Sequence, residues 1–345
     1  MKRRQFNKLF TVASSGAIFT SSYSCNNFNK NGISLAQWSL NKMIREDMTL
    51  NPLDFAQKAN ELGFNAIEYV STLYRPELKN ISINELTAIL KEKSELYGVK
   101  NLLIMVDDEG DLSSSDLKEI NNAVDKHKKW VKMASELGCH SIRVNLSGEA
   151  NLEKWKENSI NGLTLLCDYA SNFNINIIVE NHGGNSSIGN ELADVIKSVN
   201  LENCGTLPDF GNFCVRRKDG SIYNGPCGIE YDKYTGMKDL MPYAKAVSAK
   251  SYDFDEFGNE TTIDFKKMMD IVKEFGYKGF LGIEFEGDQL SEIDGIELTK
   301  QLIQKYNWQI FLNNKKVKKY IKLLSLFFVK SQQWWSEKFL LLYFY

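Results

Sequence analysis

The chain has 345 residues, which suits either roughly two domains or one α/β barrel with extensions. Its 43% hydrophobic and 25% charged residues are typical of a globular protein and argue against a disordered, collagen-like or multi-span membrane chain. The net charge of −2 shows no basic excess of the kind that points to nucleic-acid binding.

This charge is unevenly distributed along the chain. Residues 1–25 carry +4 and residues 308–345 carry +6, which leaves −12 on residues 26–307. Two cationic ends therefore flank an acidic body, and we interpret the three segments separately.

The first 25 residues resemble an export signal. A basic cluster that contains Arg3 and Arg4 is followed by a short apolar stretch and then by small residues up to Cys25. The paired arginines resemble a twin-arginine signal, and the apolar stretch is too short to span a bilayer of about 30 Å. We predict an exported protein, either periplasmic or lipid-anchored at the cell envelope through Cys25; a basic tail without signal function is the alternative.

The acidic body repeats one pattern, an amphipathic helical segment followed by a short apolar strand. Four strands follow a glycine placed where a helix would end, at Gly63, Gly98, Gly138 and Gly276. The predicted strands are 33–38, 66–70, 102–106, 141–144, 175–180, 205–209, 246–251 and 280–284. Eight alternating units indicate a single-domain (β/α)8 TIM barrel over 31–307. A doubly wound open sheet is the alternative, but the Gly-rich dinucleotide fingerprint is missing after the first strand.

Five cysteines follow Cys25, and none of them forms a C-x-x-C pair. An odd number in an exported chain argues against a disulfide framework. We therefore expect free, buried thiols and no essential disulfide. The cysteines concerned are Cys139, Cys167, Cys204, Cys214 and Cys227.

Several predicted strands end in polar residues, at the barrel end where TIM-barrel chemistry takes place. The third strand, for example, continues into Asp107-Asp108-Glu109. The other polar residues at strand ends are Glu68, Arg143, Asn145, Glu180, His182, Asp209, Asn212, Lys250 and Glu284.

Three of these carboxylates, Glu180, Asp209 and Glu284, come from the fifth, sixth and eighth strands. Carboxylates that share one barrel mouth repel each other unless they are protonated or bound to a cation. Oxygen ligands favour Mn²⁺ or Mg²⁺, and a histidine ligand would shift the preference toward Zn²⁺ or Co²⁺. The alternative is that each carboxylate is solvated or pairs with Lys250 or Arg143.

Of the three histidines, His127 lies on a helix face and His140 precedes the fourth strand, so that both are predicted to be structural. His182 follows Glu180 by two residues and therefore points to the same side if the strand continues. Gly183-Gly184 leave room beside it, which favours a role for His182 at the substrate or metal.

Residues 308–345 contain 11 aromatic residues and seven lysines but no Gly, Ala or Pro. A basic amphipathic segment on a membrane surface and an extra helix are two interpretations. An out-of-frame or read-through extension is the third, and we favour it because the composition changes abruptly. Deletion of residues 309–345 should then leave activity intact.

The strand-end motifs Val179-Glu180-Asn181-His182, 207–212 and 282–287 resemble the xylose isomerase-like TIM-barrel family, the sugar phosphate isomerases/epimerases. The resemblance covers about residues 31–306. It implies a divalent metal held by Glu180, Asp209, a residue of the seventh strand and Glu284. This chain has Ser248 where the family has a histidine, which implies a loosely bound metal, a site completed by water or His182, or no metal.

The resemblance also implies a mechanism for a metal-dependent isomerase or epimerase of a free sugar or keto-sugar. A carboxylate removes a carbon-bound proton next to a carbonyl, an ene-diolate forms, and a proton returns to another face or carbon. Glu180 and Glu284 would be the acid/base pair. The residues expected to bind substrate are His182, Arg143, Asn145, Asn212, Lys250 and Glu68.

Other functions stay open at this point. The same enolate would expel a β-group in a lyase that cleaves a 3-keto-glycoside, and a barrel without metal would only bind sugar. A related apurinic endonuclease needs several histidine ligands for three zinc ions, and this chain has only three histidines. The expected partner is a small sugar and not nucleic acid; a membrane contact would come only from a lipid on Cys25 or from the tail, and a homo-oligomer stays open.

Overall fold

Strands and helices alternate in the computed structural model, which describes residues 32–148, 150–221 and 225–313, with side chains described to residue 307. The export signal, Cys25 and nearly all of the tail lie outside the described residues. The strands are β1 (Ile33–Ala36), β2 (Ala66–Val70), β3 (Lys100–Met105), β4 (Ser141–Val144), β5 (Asn176–Glu180), β6 (Cys204–Leu207), β7 (Cys214–Arg217), β8 (Cys227–Glu230), β9 (Val247–Ser251) and β10 (Leu281–Phe285).

The helices follow the strands in the order expected for βα units. They are α1 (Asn41–Arg45), α2 (Phe55–Glu61), α3 (Ile83–Leu96), α4 (Leu117–Leu137), α5 (Leu152–Ser171), α6 (Gly189–Val199), α7 (Lys233–Leu240), α8 (Phe265–Glu274) and α9 (Glu292–Asn313). Short 3-10 turns occupy Gln37–Leu40, Pro52–Asp54, Ser71–Tyr74, Glu77–Lys79, Gly184–Ser187 and Met241–Tyr243. Among the described residues, no helix is long and apolar enough to cross a membrane.

Eight parallel strands form one curled sheet in the order β6-β5-β4-β3-β2-β1-β10-β9. Its two edge strands meet at isolated parallel bridges, Thr206 with Ala244 and Asp209 with Ser248. The predicted TIM barrel is therefore confirmed. Each of the eight predicted strands is present, and most bounds differ from the prediction by one or two residues.

The predicted helix periodicity is also confirmed, as α4 illustrates. Its buried face includes Ile120, Val124 and Trp130, which recur at the spacing of one side of a helix. The helix ends at Gly138, whose φ of 75° places the backbone in the left-handed region that favours glycine. The other three predicted capping glycines share this sign of φ.

One element was not predicted, an antiparallel hairpin of β7 and β8 between β6 and α7. A disulfide joins Cys214 to Cys227 across this hairpin. The expectation of free thiols is therefore wrong for this pair, because only the strand pairing brings the two sulfurs together. It is confirmed for the remaining three described cysteines, which are free and buried: Cys139, Cys167 and Cys204.

Replacing both Cys214 and Cys227 by serine should loosen the hairpin. A crosslink that closes a loop of about this length contributes about 3 kcal/mol through the entropy of the open chain. We expect faster hydrogen exchange in the β7 and β8 amides, with unchanged exchange in β2 and β5. Equal protection of the hairpin with and without the disulfide would show that the bridge does not stabilise it.

Candidate active site

The carboxyl ends of β5, β6 and β10 bring together the three carboxylates that the sequence singled out. One oxygen from each of Glu180, Asp209 and Glu284 lies within 4.8 Å of the others, and all three side chains are buried. The predicted convergence at one barrel mouth is therefore present. We call these residues the carboxylate triad.

Asp209 is held by the backbone that follows β6. Its Oδ1 accepts hydrogen bonds from the N–H groups of Gly211 and Asn212, both at 2.8 Å. Asn181 fixes the Asp209 backbone on the other side, since its Oδ1 accepts from the Asp209 N–H at 2.8 Å and its Nδ2 donates to the Asp209 carbonyl at 3.1 Å. These contacts leave Oδ2 of Asp209 directed at the other site residues.

Ser248 lies on β9, inside the triad. Its hydroxyl oxygen is 2.6 Å from Oδ2 of Asp209 and 3.1 Å from Oε2 of Glu284. A hydroxyl has one proton, so that it donates to one of the two carboxylates at a time. Ser248 thus links two members of the triad and contributes no nitrogen ligand.

Lys250, two residues further along β9, is also directed into the triad. Its Nζ lies 3.3 Å from Oε2 of Glu284, 3.1 Å from Oε2 of Glu286 and 3.9 Å from Oδ2 of Asp209. It also donates to Oδ1 of Asn212 at 3.3 Å. Although burial lowers the pKa of Lys250, the surrounding carboxylates raise it more, so that the pKa lies well above its usual value and the amine is a cation.

Arg143 supplies the second buried cation. Its Nε lies 2.9 Å from Oε2 of Glu180, and its Nη1 lies 2.5 Å from Oδ1 of Asp107. Asn145 donates to the same oxygen of Asp107 at 2.8 Å. Asp107 is a site residue that the sequence analysis did not select. Its place after β3 was the available signal, but the run Asp107-Asp108-Glu109 did not reveal which acid faces inward.

Burial dominates the electrostatics of Glu180 and Asp209. It raises the pKa of Glu180 to about 7 and that of Asp209 to about 6, although Arg143 and Lys250 respectively oppose these shifts. For Asp107, burial also acts upward, but the contacts with Arg143, His182 and Asn145 together outweigh it and the pKa is lowered. The site therefore contains carboxyl groups that exchange protons near neutral pH.

Glu68 lies behind this cluster. It accepts a 2.6 Å hydrogen bond from Ser34, and it fills the space beside Gly282, where a Cβ would lie 2.5 Å from Oε1 of Glu68. Burial raises the pKa of Glu68 to about 7, and the charges of Glu284 and Glu180 act in the same direction.

A cavity of about 1140 Å³ opens in front of the cluster. Of the residues predicted to bind substrate, Arg143, Asn145 and His182 line it, while Asn212, Lys250 and Glu68 are not among its lining residues. Glu284 is the triad member at its surface. The cavity lining also contains apolar residues, which include Trp38, Ile44, Met48, Leu50 and Pro52.

Two further residues of the cavity, Trp38 and Glu286, were not selected from the sequence. The Trp38 indole N–H donates to Oε1 of Glu286 at 2.5 Å, while Oε2 of Glu286 faces Lys250. Glu286 lies two residues after Glu284 at the end of β10, and this same-side spacing could have identified it.

The histidines differ in their surroundings. Burial, Arg143 and Lys250 lower the pKa of His182 to about 4, so that its imidazole is neutral at neutral pH. His127 is buried on α4 with Nδ1 at 2.7 Å from the carbonyl of Ala123, at the edge of the cavity.

Comparison with known proteins relates most of the barrel to one family. The family model described as a xylose isomerase-like TIM barrel matches residues 56–308. The solved structure of the IOLI protein with bound zinc is 16% identical with a TM-score of 0.61, covering 81% of this chain and 98% of that one. A D-tagatose 3-epimerase-like protein is 17% identical with a TM-score of 0.61, covering 81% and 99%. At these identities the structures establish a shared fold.

A further structure and one curated protein are similar. D-allulose 3-epimerase from Methylomonas sp., in complex with D-allulose, is 15% identical with a TM-score of 0.61, over 81% of this chain and 98% of that one. The C-glycoside deglycosidase alpha subunit of Arthrobacter globiformis is 41% identical over 66 residues, which are 18% of this chain. The match spans about a fifth of that subunit's own length.

The buried carboxyl of Glu68 should make stability depend on pH. Its pKa rises from 4.5 to about 7 on folding. The contribution of protonated Glu68 to folding stability is therefore fully present below pH 4.5 and is lost as the pH rises through 7. The free energy of unfolding of Glu68→Gln, relative to that of wild type, should therefore increase by on the order of 3 kcal/mol between pH 4.5 and pH 8. Urea unfolding in chelator measures this difference.

The exposed Glu61→Gln is the matched control for that measurement, since Glu61 lies on the surface of α2. It should show the pH dependence of wild type. A Glu68→Gln protein whose stability follows the wild-type pH curve would show that Glu68 titrates normally.

Proposed function

Since the chain belongs to the xylose isomerase-like TIM-barrel family, we propose that it is an isomerase or epimerase of a free sugar or keto-sugar. The observation that carries this proposal is the buried triad, in which the carboxylates of Glu180 and Glu284 converge and Glu284 lines the cavity. The epimerases among its structural relatives support the same reaction class. The export signal predicted for residues 1–25 favours an unphosphorylated substrate.

Glu180 is suited to remove a proton from a carbon next to a carbonyl. Its pKa of about 7 is close to ambient pH, where a general base combines adequate basicity with a substantial ionised fraction. Proton removal gives an ene-diolate. Glu284, at the cavity surface, would return a proton to the opposite face for epimerisation, or to the neighbouring carbon for aldose–ketose isomerisation.

Other residues of the cavity wall would hold the substrate. The Arg143 guanidinium would stabilise negative charge that develops on the sugar oxygen. Asn145 and the neutral His182 offer hydrogen bonds to hydroxyl groups. Asp107 positions Arg143 and Asn145, since both donate to its Oδ1.

The triad also fits a divalent cation. Its buried oxygens converge, and Oε2 of Glu180 has no hydrogen-bond donor despite the nearby Arg143 Nε. Glu180, Asp209 and Glu284 would hold the ion, and their hard oxygen donors favour Mn²⁺ or Mg²⁺ over Zn²⁺ or Co²⁺. A bound cation would polarise a carbonyl and acidify the adjacent C–H group. The zinc atom in the IOLI structure supports metal binding by this fold.

A lyase that cleaves a 3-keto-glycoside is the second candidate. The cavity exceeds the roughly 300–1,000 Å³ typical of drug-sized ligands, and apolar lining residues such as Trp38, Met48 and Leu50 suit an aglycone, which a free sugar lacks. The local similarity to the C-glycoside deglycosidase subunit supports it. Both reactions begin with the same proton abstraction. In the lyase, the enolate then forms a double bond to the sugar's β-carbon as the bond from that carbon to the oxygen or carbon of the aglycone breaks, and the aglycone leaves with a proton.

Glu180→Gln and Glu284→Gln should each abolish proton transfer, because an amide cannot accept the carbon-bound proton. We expect at least a 100-fold loss of deuterium incorporation from D₂O into D-tagatose, D-allulose or a 3-keto-glucoside, measured by NMR. Deuterium exchange accompanied by formation of a rearranged sugar would indicate the isomerase or epimerase. Exchange accompanied by release of an aglycone would indicate the lyase.

The exposed Glu297→Gln, on α9, is the matched control for those variants and should retain wild-type exchange. Full exchange activity in both triad variants would contradict an acid/base role. A wild-type protein that binds these sugars without exchanging any proton would instead be a sugar-binding barrel.

The pH dependence of kcat/KM should report Glu180. The base must be ionised, so that activity should rise with pH through about 7. The Arg143 cation lowers the pKa of Glu180, and Arg143→Met should therefore move this acidic limb to higher pH as well as reducing the rate. An acidic limb that stays in place in Arg143→Met would show that another group controls it.

A further inference from the structure

The carboxylate triad already holds a cation that belongs to the chain. The Lys250 side chain is 2% exposed, and its ammonium lies 3.3 Å from Oε2 of Glu284 and 3.9 Å from Oδ2 of Asp209. We propose that Lys250 is an intramolecular counter-ion that competes with a divalent cation for the triad. This inference rests on the proposed function only in taking the triad as the cation site.

The competition follows from the atoms involved. Oδ2 of Asp209 and Oε2 of Glu284 are the oxygens that face Lys250, and the same two oxygens contact the Ser248 hydroxyl. Strand β9 therefore presents a donor and a cation to the inward oxygens of two triad members. An ion that binds there must replace the Ser248 hydrogen bond and must come close to a positive charge.

The sequence of β9 brings these two effects together. Ser248 and Lys250 are two residues apart on one strand, so that they point to the same side of the sheet. Strand β9 pairs with β10 in a register that aligns Ser248 with Gly282 and Lys250 with Glu284. The ammonium is thus held at the level of the triad by the strand pairing.

Lys250 also has partners outside the triad. Glu286 Oε2 lies 3.1 Å and Asn212 Oδ1 lies 3.3 Å from its Nζ. When a divalent ion enters, the ammonium can keep these two contacts while giving up those to Asp209 and Glu284. Lys250 therefore weakens binding of the ion without excluding it, and it keeps two triad carboxylates neutralised when no ion is bound.

The test compares Mn²⁺ binding to wild type, Lys250→Met and Lys250→Gln. The full chain is stripped with chelator, and free Mn²⁺ is measured by EPR at pH 7.5 without sugar. The Lys250 charge lies about 4 Å from the ligand oxygens, and its repulsion of the ion should raise the Kd for Mn²⁺. Removing this charge should therefore lower that Kd at least about tenfold in both variants. An unchanged or higher Kd for Mn²⁺ in both Lys250 variants would overturn the proposal.

The control is Lys266→Met, which removes an exposed lysine from α8 and should leave the Mn²⁺ Kd at the wild-type value. It excludes a general effect of net charge. A tenfold fall in this control would also overturn the proposal, because the gain would not be specific to Lys250.

Thermal unfolding tests the proposal in case the Lys250 variants are less stable than wild type. Without Lys250 the buried carboxylates of Asp209 and Glu284 lose their cation, so that both variants should unfold at lower temperature than wild type in EDTA. Mn²⁺ at 1 mM should then raise their Tm by more than it raises that of wild type. Variants that stay unfolded in Mn²⁺, or that gain no more than wild type, would overturn the proposal.

The proposed function is judged separately, by deuterium exchange in the wild-type protein. If wild type exchanges protons and the Lys250 variants gain no affinity for Mn²⁺, only the competition is wrong. If the variants gain affinity and wild type exchanges no proton on any sugar, the competition stands and the proposed reaction fails.

Discussion

The structure of the barrel mouth depends on how buried carboxylates are neutralised. Charged groups in a protein interior are unfavourable unless they are paired and hydrogen-bonded. Here two cations from facing strands meet that requirement, Arg143 from β4 and Lys250 from β9. Arg143 joins Glu180 to Asp107, while Lys250 joins the ends of β6 and β10. Each cation therefore links parts of the chain that lie far apart in sequence.

The same side chains reinforce the closure of the barrel. The edge strands β6 and β9 share only isolated bridges in the described sheet, one of them between Asp209 and Ser248. Backbone hydrogen bonds from Ser248 N–H to the Pro208 carbonyl and from Phe210 N–H to the Ser248 carbonyl add to it. The Ser248 side chain then contacts the Asp209 carboxylate. The site and the closure of the barrel therefore depend on each other. A substitution in the triad should also affect the contact between the ends of β6 and β9.

The proposed proton transfer and the proposed cation binding would draw on the same property of the site. Raised pKa values let Glu180 and Asp209 change protonation near neutral pH, and the same carboxylates would release protons if an ion bound. Ser248 supplies a hydrogen-bond donor to the carboxylates at this position and offers no nitrogen ligand. Together with Lys250, this gives the triad partners from the chain itself. The scaffold is shared with its relatives, and in the proposed competition the residues of β9 would set the balance between the internal cation and a bound one.

The sequence by itself determined the barrel, its eight strands, the capping glycines and the convergence of Glu180, Asp209 and Glu284. These features can be predicted locally, because the hydrophobic period, the glycine positions and the polar strand ends can each be recognised within a short segment of the sequence.

Only the tertiary structure decided that Asp107 is the acid that pairs with Arg143, that Cys214 bonds to Cys227, and that Lys250 lies inside the triad. The Asp107 and Lys250 contacts join residues 34 to 41 positions apart, and the disulfide depends on a hairpin register. Such contacts require the direction and rotamer of side chains on neighbouring strands, which strand spacing alone does not specify.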